Sequence, residues 1–106
     1  MASLYATHLL HADLRNANLS QADLYGADLT GADLRGANLY QTNLVYTDLS
    51  WATLNNANLS EAKLSGADLS QVELDEVELA NAVYDNFTIW PDGFNPKLAG
   101  AKMLGE

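Results

Sequence analysis

Residues 22–40 read ADLYGADLTGADLRGANLY, a five-residue unit repeated almost four times. The unit is A-(D/N)-L-x-x: a small residue, then Asp or Asn, then Leu, then two variable residues. Outward from this stretch, every fifth residue from Leu4 to Leu79 is leucine, sixteen in succession. The residue two positions before each leucine is Ala, Thr or Val. A repeat that stays in phase for this long predicts a repeat architecture rather than an ordinary globule.

A period of five fits neither regular element. On an α-helix, leucines five residues apart are separated by about 140° and form no stripe. On a strand, odd spacing puts successive leucines on opposite faces. Each unit therefore contains its own change of direction: the small residue and the leucine point inward together, and the two variable residues form a corner. A chain that turns the same way every five residues winds into an all-β solenoid with a leucine core. Its core ladder comprises leucines such as Leu14, Leu34, Leu54 and Leu74.

Over residues 2–83 the sequence resembles the pentapeptide-repeat family, on the evidence of the sixteen in-phase units. The resemblance implies a right-handed quadrilateral β-helix with four units per coil, and hence about four coils over residues 3–82. It also implies a protein without catalytic activity, since members of the family mostly have no known activity.

The repeat coarsens after residue 83, which predicts two segments: a β-helix over 1–83 and a C-terminal cap over 84–106. Phe87 and Ile89 fall in the small and leucine slots of a last, wider turn. The stretch 90–94, Trp-Pro-Asp-Gly-Phe, predicts a turn whose two aromatic residues lie over the end of the core. Similar tails follow the repeats in cyanobacterial members of the family. Asn95 and Pro96 suit a helix N-cap and first turn, which predicts a short α-helix over 96–104, although Gly100 weakens it.

Composition excludes several classes of function. The net charge of −9 comes from 14 acidic and 5 basic residues, so no basic stripe is present to bind nucleic acid. There is no cysteine, and therefore no disulfide or thiolate site. No apolar stretch is long enough to span a membrane, and no signal peptide is visible, so we expect no membrane association and a cytoplasmic location.

No group of residues predicts a cofactor, a metal site or an active site. His8 and His11 have no third ligand and are interpreted as surface histidines. Carboxylates in register at positions 28, 48 and 68 could raise one another's pKa, but Asp at this slot also suits a hydrogen bond to corner N–H groups. Amides in register at positions 18, 38 and 58 predict a stacked ladder. Arg15 and Arg35 could clamp an anion, but the nearby Asp13 and Asp33 favour neutralisation.

An aromatic cluster in the middle coils is the candidate interaction surface. Its members are Tyr25, Tyr40, Val45, Tyr46 and Trp51. Exposed aromatic residues are typical of binding surfaces. They also cover bare glycine backbone, and Tyr46 is expected to lie between Gly26 and Gly66 in the stack. Both interpretations remain open from the sequence.

The leading functional hypothesis is a protein–protein interaction or scaffold module with an unknown partner. The alternative, suggested by the acidity and the resemblance, is a mimic of duplex DNA that binds a type II topoisomerase such as gyrase. The first coil lacks a counterpart of the C-terminal cap. We therefore expect Leu4, Leu9 and their neighbours to be covered either by self-association or by residues that precede this sequence.

Overall fold

The corners of the fold are identical turns that recur every five residues. In the computed structural model, which describes residues 3–105, the N–H of each small residue donates to the carbonyl of the preceding leucine, as from Ala27 to Leu24 at 3.0 Å. The second residue after each leucine has positive φ, between 52° and 69° at all sixteen positions from 6 to 81. A bond between residues one and four with positive φ only at residue three defines a type II turn.

Where Asp or Asn precedes the leucine, it braces the same corner. Its side-chain oxygen accepts the N–H two residues along the chain, as in Tyr25 N–H to Asp23 (3.1 Å) and Ser60 N–H to Asn58 (2.9 Å). This local bond explains why the slot alternates between Asp and Asn, since both supply the oxygen. The amides at 18, 38 and 58 each make this bond, and no bond joins one amide to the next among the described residues. The predicted amide ladder at these positions is therefore wrong.

Four corners complete one coil. Parallel β-bridges join residues 20 apart, from Ser3 with Asp23 to Lys63 with Val83, so each pentapeptide forms one side of a square. We number the faces by their leucines. These are Leu4, Leu24, Leu44 and Leu64 on face 1; Leu9, Leu29, Leu49 and Leu69 on face 2; Leu14, Leu34, Leu54 and Leu74 on face 3; and Leu19, Leu39, Leu59 and Leu79 on face 4.

Backbone hydrogen bonds between coils hold the stack together. Leu24 N–H donates to Asn43 at 2.8 Å, Gly26 N–H to Val45 at 2.9 Å and Asp28 N–H back to Thr7 at 2.9 Å. Each pentapeptide in the middle of the stack repeats this set. Backbone polar groups that a short strand would leave unpaired are therefore satisfied by the coils on either side.

The leucines and the small residues fill the interior. Leu24 through Leu69 at each leucine position are fully buried, and the alanines between them are 2 % exposed or less. In the ladder of face 3, Leu34 and Leu54 are fully buried, while Leu14 and Leu74 at its ends are half-buried. Thr42 and Thr47 take the small slot in the middle of the stack, and their hydroxyls donate to carbonyls of the coil below, Leu19 (2.8 Å) and Leu24 (2.9 Å).

The cap begins with a one-residue shift of the repeat. Ile89 pairs with Asp68 across 21 residues rather than 20, so Ile89 occupies an Asp slot, Thr88 the small slot and Trp90 the leucine slot. Accordingly, the Thr88 hydroxyl donates to the Leu64 carbonyl (2.8 Å). The prediction for Phe87 and Ile89 is wrong: their side chains are 74 % and 50 % exposed.

Asp85 accounts for the shift. Its carboxylate oxygen Oδ1 accepts the N–H groups of Gly66, Phe87 and Thr88 at 3.0 to 3.2 Å. In the regular repeat, the N–H at the position of Gly66 donates to a backbone carbonyl of the next coil instead. The side chain replaces that carbonyl, and the chain gains one residue as it passes around it.

The rest of the cap closes the last coil with a strand, not a helix. β1 (Val83–Tyr84) pairs in parallel with β2 (Lys102–Met103). Between them, the predicted helix over 96–104 is absent: residues 96–100 form turns in which Ala101 N–H donates to Pro96 at 3.0 Å. Gly100, with φ of 96°, ends the turn because this conformation cannot continue an α-helix.

Aromatic side chains cover the upper end of the core, as predicted for residues 90–94. Trp90 stacks on Phe94 with ring centroids 5.2 Å apart and meets Tyr84 edge-on at 5.6 Å. Both Trp90 and Phe94 pack against the leucine core. Among the described residues, no group accepts a hydrogen bond from the buried indole N–H of Trp90.

The lower end of the stack is open in the described part of the chain. Leu4, Leu9, Leu14 and Leu19 are half-buried rather than fully buried. The N–H groups of His8 and Asp13, whose equivalents in the next coil donate downward, have no backbone acceptor among residues 3–105. Self-association through this end stays a prediction. Residues 1–2 and 106, the outer limits of the two predicted segments, lie outside the described residues.

The described chain contains no helix that is long and apolar enough to cross a membrane.

Replacement of Leu54 by Asp should unfold the coil. The substitution places an unpaired carboxylate in a fully buried site, and we expect a loss of more than about 4 kcal/mol in the free energy of unfolding. Ser60→Ala is the control, because the Ser60 side chain points outward, and it should change stability by less than about 0.5 kcal/mol. Chemical denaturation measures both, and equal stability of the two variants would contradict the assignment of inside and outside.

Acid should loosen the cap through Asp85. Burial alone would raise the pKa of Asp85, but the N–H groups of Gly66, Phe87 and Thr88 and the Thr88 hydroxyl outweigh it and hold the pKa below its usual value. The stabilisation is therefore complete above the unfolded pKa of about 3.9 and is lost as the pH falls through the lower folded value.

The emission of Trp90 measures this loosening when Trp51 is replaced by Phe. Below about pH 4 the wild-type cap should lose its Trp90 burial before the coils unfold. In Asp85→Asn, most of this acid response should be missing because the titrating group is gone. An unchanged acid response in that variant would show that Asp85 does not hold the cap.

Candidate interaction surface

Three tyrosines form a continuous aromatic strip along one corner of the stack. Tyr5 lies parallel to Tyr25, with ring centroids 5.4 Å apart and an interplanar angle of 3°. Tyr25 meets Tyr46 edge-on at 5.6 Å and 88°. Tyr5 and Tyr46 are 62 % and 58 % exposed. Tyr5 was not among the predicted surface residues, although its position 20 residues before Tyr25 indicates that the two rings stack.

Tyr46 covers the backbone of Gly66. A Cβ placed on Gly66 would collide with Cδ1 and Cε1 of the Tyr46 ring, so only glycine leaves room for it. On the other side, nothing lies within 4 Å of such a Cβ at Gly26. The predicted packing between two glycines is thus half correct. Corner side chains lean toward the C-terminal coil, as His11 also does over Gly31.

Trp51 is exposed and covers no glycine. Its side chain is 67 % exposed, and its φ is 65°. In a left-handed conformation the Cβ of an L-residue approaches the following carbonyl, at a cost of roughly 1–2 kcal/mol that glycine avoids. Trp51 N–H donates to the Ser70 carbonyl of the next coil (3.2 Å), as other corner residues of the stack do. The Trp51 ring therefore does not cover a glycine, although its backbone adopts the costly left-handed conformation.

Tyr40 and Val45 have different surroundings. The Tyr40 hydroxyl donates to Glu61 Oε2 (3.1 Å), and this hydrogen bond raises the pKa of Tyr40. The same carboxylate ends a ladder in which Gln21 donates to Gln41 (2.8 Å) and Gln41 to Glu61 (3.1 Å). Tyr40 thus belongs to a polar ladder at the opposite edge of face 1, apart from the tyrosine strip.

Val45 is half-buried beside this strip, in the column of Tyr5 and Tyr25. Of the five predicted surface residues, the structure therefore brings Tyr25, Val45 and Tyr46 together. Trp51 lies one corner further along the chain.

In the first two coils, face 3 carries an arginine beside each aspartate. Arg15 donates to both oxygens of Asp13 (2.9 and 2.8 Å), and Arg35 does the same with Asp33 (2.9 and 2.6 Å). These side-chain bonds from Arg15 lower the pKa of Asp13 to about 2, and those from Arg35 lower the pKa of Asp33. Both guanidinium groups are therefore paired with carboxylates, as the neutralisation interpretation requires.

Face 2 carries the same aspartates without an arginine, and its two histidines, His8 and His11, lie beside Asp28 at the lower end. Asp28, Asp48 and Asp68 are each followed two residues later by Thr30, Ser50 or Ser70, whose hydroxyl donates to Oδ1 at 2.6 to 2.7 Å. The bonds from the Thr30 hydroxyl and N–H lower the pKa of Asp28. In each carboxylate Oδ1 accepts these bonds, and among the described residues no hydrogen bond is made to Oδ2.

Where face 2 meets the cap, it ends in a pocket of about 270 Å³. The lining residues are Ser70, Gln71, Ile89, Trp90, Pro91 and Asp92. The one-residue shift of the cap forms this pocket, because it turns Ile89 outward beside Asp68. The sequence could not reveal it, since its walls come from two coils that are out of phase.

In residues 3–105, no group of three or more His, Asp or Glu side chains is arranged to hold a metal ion. His8 and His11 are both exposed.

Comparison with known proteins identifies the repeat. The family model for pentapeptide repeats matches residues 2–36 and 32–71, with 8 copies. No protein with a curated function matches the chain. Among solved structures, alr5209, a pentapeptide repeat protein from Nostoc PCC 7120, is 39 % identical with a TM-score of 0.94 and covers 95 % of this chain and 84 % of its own.

Two further solved structures are similar to lesser degrees. A pentapeptide repeat protein from the Arabidopsis thaliana thylakoid lumen is 32 % identical with a TM-score of 0.68, over 89 % of this chain and 55 % of that one. The plasmid-mediated fluoroquinolone resistance protein QnrB1 is 21 % identical with a TM-score of 0.42, over 97 % of this chain and 65 % of its own, which supports no functional argument.

Proteins of this family fold as right-handed quadrilateral β-helices, as the resemblance implied, and are generally not enzymes. The family model spans more than half of the sequence, and solved cyanobacterial members share the fold. The chain belongs to the pentapeptide repeat family.

Proposed function

We propose that this protein is a non-catalytic interaction module that binds a partner protein through the corners on either side of face 2. The observation that carries the proposal is Trp51, a tryptophan held exposed in a left-handed conformation. Tyr46, 58 % exposed, occupies the preceding corner, so the two rings flank one face of the third coil.

The folding role of these two residues differs, and the difference supports the proposal. Tyr46 covers Gly66, so part of its presence is explained by the stability of the coil. Trp51 covers no glycine, and glycine or asparagine would suit its backbone better. The fold requires the left-handed conformation at position 51 but does not require a tryptophan there, and a strained residue without a folding role is a reason to infer a function. Tryptophan and tyrosine are also the residues that most often dominate binding energy at protein interfaces.

The shape of the molecule suits binding on a flat wall rather than chemistry in a cleft. The interior is filled by fully buried leucines. Among the described residues, no three potential metal ligands converge. The carboxylates that stand in register take part in the hydrogen bonds of the corners, which favours a structural role for them.

A mimic of duplex DNA that binds a type II topoisomerase is the alternative, suggested by the net charge of −9 and by the family. Much of that charge lies in the Asp slots, where the corners need a side-chain oxygen. The charge by itself therefore does not favour the alternative over a protein-binding wall.

Affinity capture from a native lysate tests the proposal, with wild type compared with Tyr46→Ala/Trp51→Ala. We expect a protein that the wild type retains and the double variant loses by about tenfold or more, since each ring is of the type that forms binding hot spots. Asn56→Ala/Asn81→Ala is the matched control, because both asparagines occupy exposed corner positions with the same positive φ on other corners.

Stability measurements separate binding from folding. Trp51→Gly should be at least as stable as wild type, because glycine adopts positive φ without the penalty. If Trp51→Gly were instead strongly destabilised, the ring would have a structural role. Equal capture by wild type and by the folded double variant would contradict the proposed surface.

A further inference from the structure

Face 2 and face 3 both carry aspartates in the slot before the leucine, but the residue two positions after the aspartate differs between them. On face 3 the residue two positions after the aspartate is Arg15 or Arg35, and the charges cancel. On face 2 it is Thr30, Ser50 or Ser70, which leaves the charge in place. None of the five Lys and Arg residues of the chain belongs to the face 2 pentapeptides, and the two histidines of this face, His8 and His11, lie at its lower end beside Asp28. Face 2 itself therefore supplies no Lys or Arg for Asp48 and Asp68.

The pocket gives this wall a defined upper end. Ser70 lines the pocket and donates to Asp68 at 2.6 Å, and Ile89 lines it and pairs with Asp68 in the β-bridge. Asp68 therefore lies at the pocket mouth, with Asp48 one coil below. At about 270 Å³ the pocket is smaller than most small-molecule sites, which run from about 300 to 1,000 Å³. It has room for a single apolar side chain against Ile89, Trp90 and Pro91.

We infer that the partner presents an extended segment that lies along face 2, with an apolar side chain in the cap pocket and basic side chains on Asp68 and Asp48. This inference rests on the proposed function and names the chemistry of the partner. The pocket fixes the position of the segment on face 2, and the negative charge of face 2 favours basic side chains in that segment. The exposed rings of Tyr46 and Trp51 border the same wall, where they can contact aliphatic stems or guanidinium planes.

The dimensions of an extended peptide fit this arrangement. Neighbouring coils are about 4.8 Å apart, and side chains on one side of an extended strand repeat at roughly 6.6 Å. Arginine is long enough to absorb the difference, and its planar fork matches a carboxylate whose outer oxygen is free. The apolar residue should therefore precede or follow the first arginine by two positions.

The test is a titration of the ¹⁵N-labelled full chain with the peptide acetyl-Leu-Ala-Arg-Ala-Arg-amide, followed by NMR. Binding should shift the amides of Ser70, Gln71 and Asp92 around the pocket and of Asp48 and Asp68 on the wall. A peptide with serine in place of leucine should bind about tenfold more weakly, because the pocket contact is lost. A peptide that keeps leucine but has citrulline in place of both arginines should lose the part of the affinity that comes from the ion pairs with Asp48 and Asp68.

Two matched variants distinguish an effect of the face 2 carboxylates on binding from an effect of the net charge of the protein. Asp68→Asn should weaken binding about two- to fivefold, the range expected for an exposed ion pair. Asp23→Asn makes the same change in the same slot on face 1, with the same loss of charge, and should have less than about a twofold effect because salt screens distant charges. Asparagine already fills this slot at other positions, so both variants should fold.

Equal weakening by Asp23→Asn and Asp68→Asn would overturn the inference, because the peptide would then follow net charge alone. Absence of binding, or equal binding of the citrulline peptide, would overturn it as well. A captured protein that is lost with Tyr46→Ala/Trp51→Ala but retained at wild-type level by Asp68→Asn would leave the proposed function standing and reject only the basic segment.

Discussion

The structure depends on one backbone constraint: every fifth residue adopts a left-handed conformation inside a type II turn. Only four of the sixteen corner positions carry glycine, which adopts this conformation freely. The other twelve include Tyr46 and Trp51 and accept a penalty of roughly 1–2 kcal/mol each. The turn bond and the Asp or Asn brace offset part of that penalty within each unit. The bonds to neighbouring coils also offset it, and they form only where the corners repeat in phase. The fold is therefore cooperative by construction.

The same constraint divides the five positions of the unit between folding and function. The small residue and leucine fill the core, and the Asp or Asn oxygen braces the corner, so these three positions have little freedom. The two variable positions carry the differences between faces: arginine after Asp33, serine after Asp48, tryptophan at 51. A partner can be recognised only through such differences, because the rest of the surface is nearly the same on every side. Face 2 combines carboxylates without an arginine beside them, two exposed aromatic corners and the pocket at its end.

The repeat could be predicted from the sequence because local and global signals agree at each unit. The leucine period fixed the interior, and the Asp slot suggested its hydrogen bond. The cap was predicted only in part, because Asp85 replaces a backbone carbonyl and shifts Thr88, Ile89 and Trp90 by one residue, which no periodic pattern contains. The helix over 96–104 failed for a similar reason: pairing of β2 with β1 outweighs the weak helical preference around Gly100.

The sequence likewise predicted which residues could belong to the candidate surface, but not which of them lie together. The contact of Tyr46 with Gly66 followed from their spacing of 20 residues. Side-chain rotamers decide the direction in which corner side chains lean. A hydrogen bond between coils joins Tyr40 to Glu61 and keeps it apart from the other tyrosines. The pocket depends on the shift of the cap. These three features decide which residues form one surface, and they are tertiary in origin.

Amide hydrogen exchange tests the corner constraint most directly. The N–H groups of Leu24 and Gly26 bond to the next coil, whereas that of Tyr25 between them donates only to the Asp23 side chain. Protection should therefore follow a five-residue period, with the residue after each leucine exchanging fastest. In addition, the amides of His8 and Asp13 in the open first coil should exchange faster than those of Asp28 and Asp33 above them. Protection without a five-residue period would contradict the turn and coil arrangement on which the account rests.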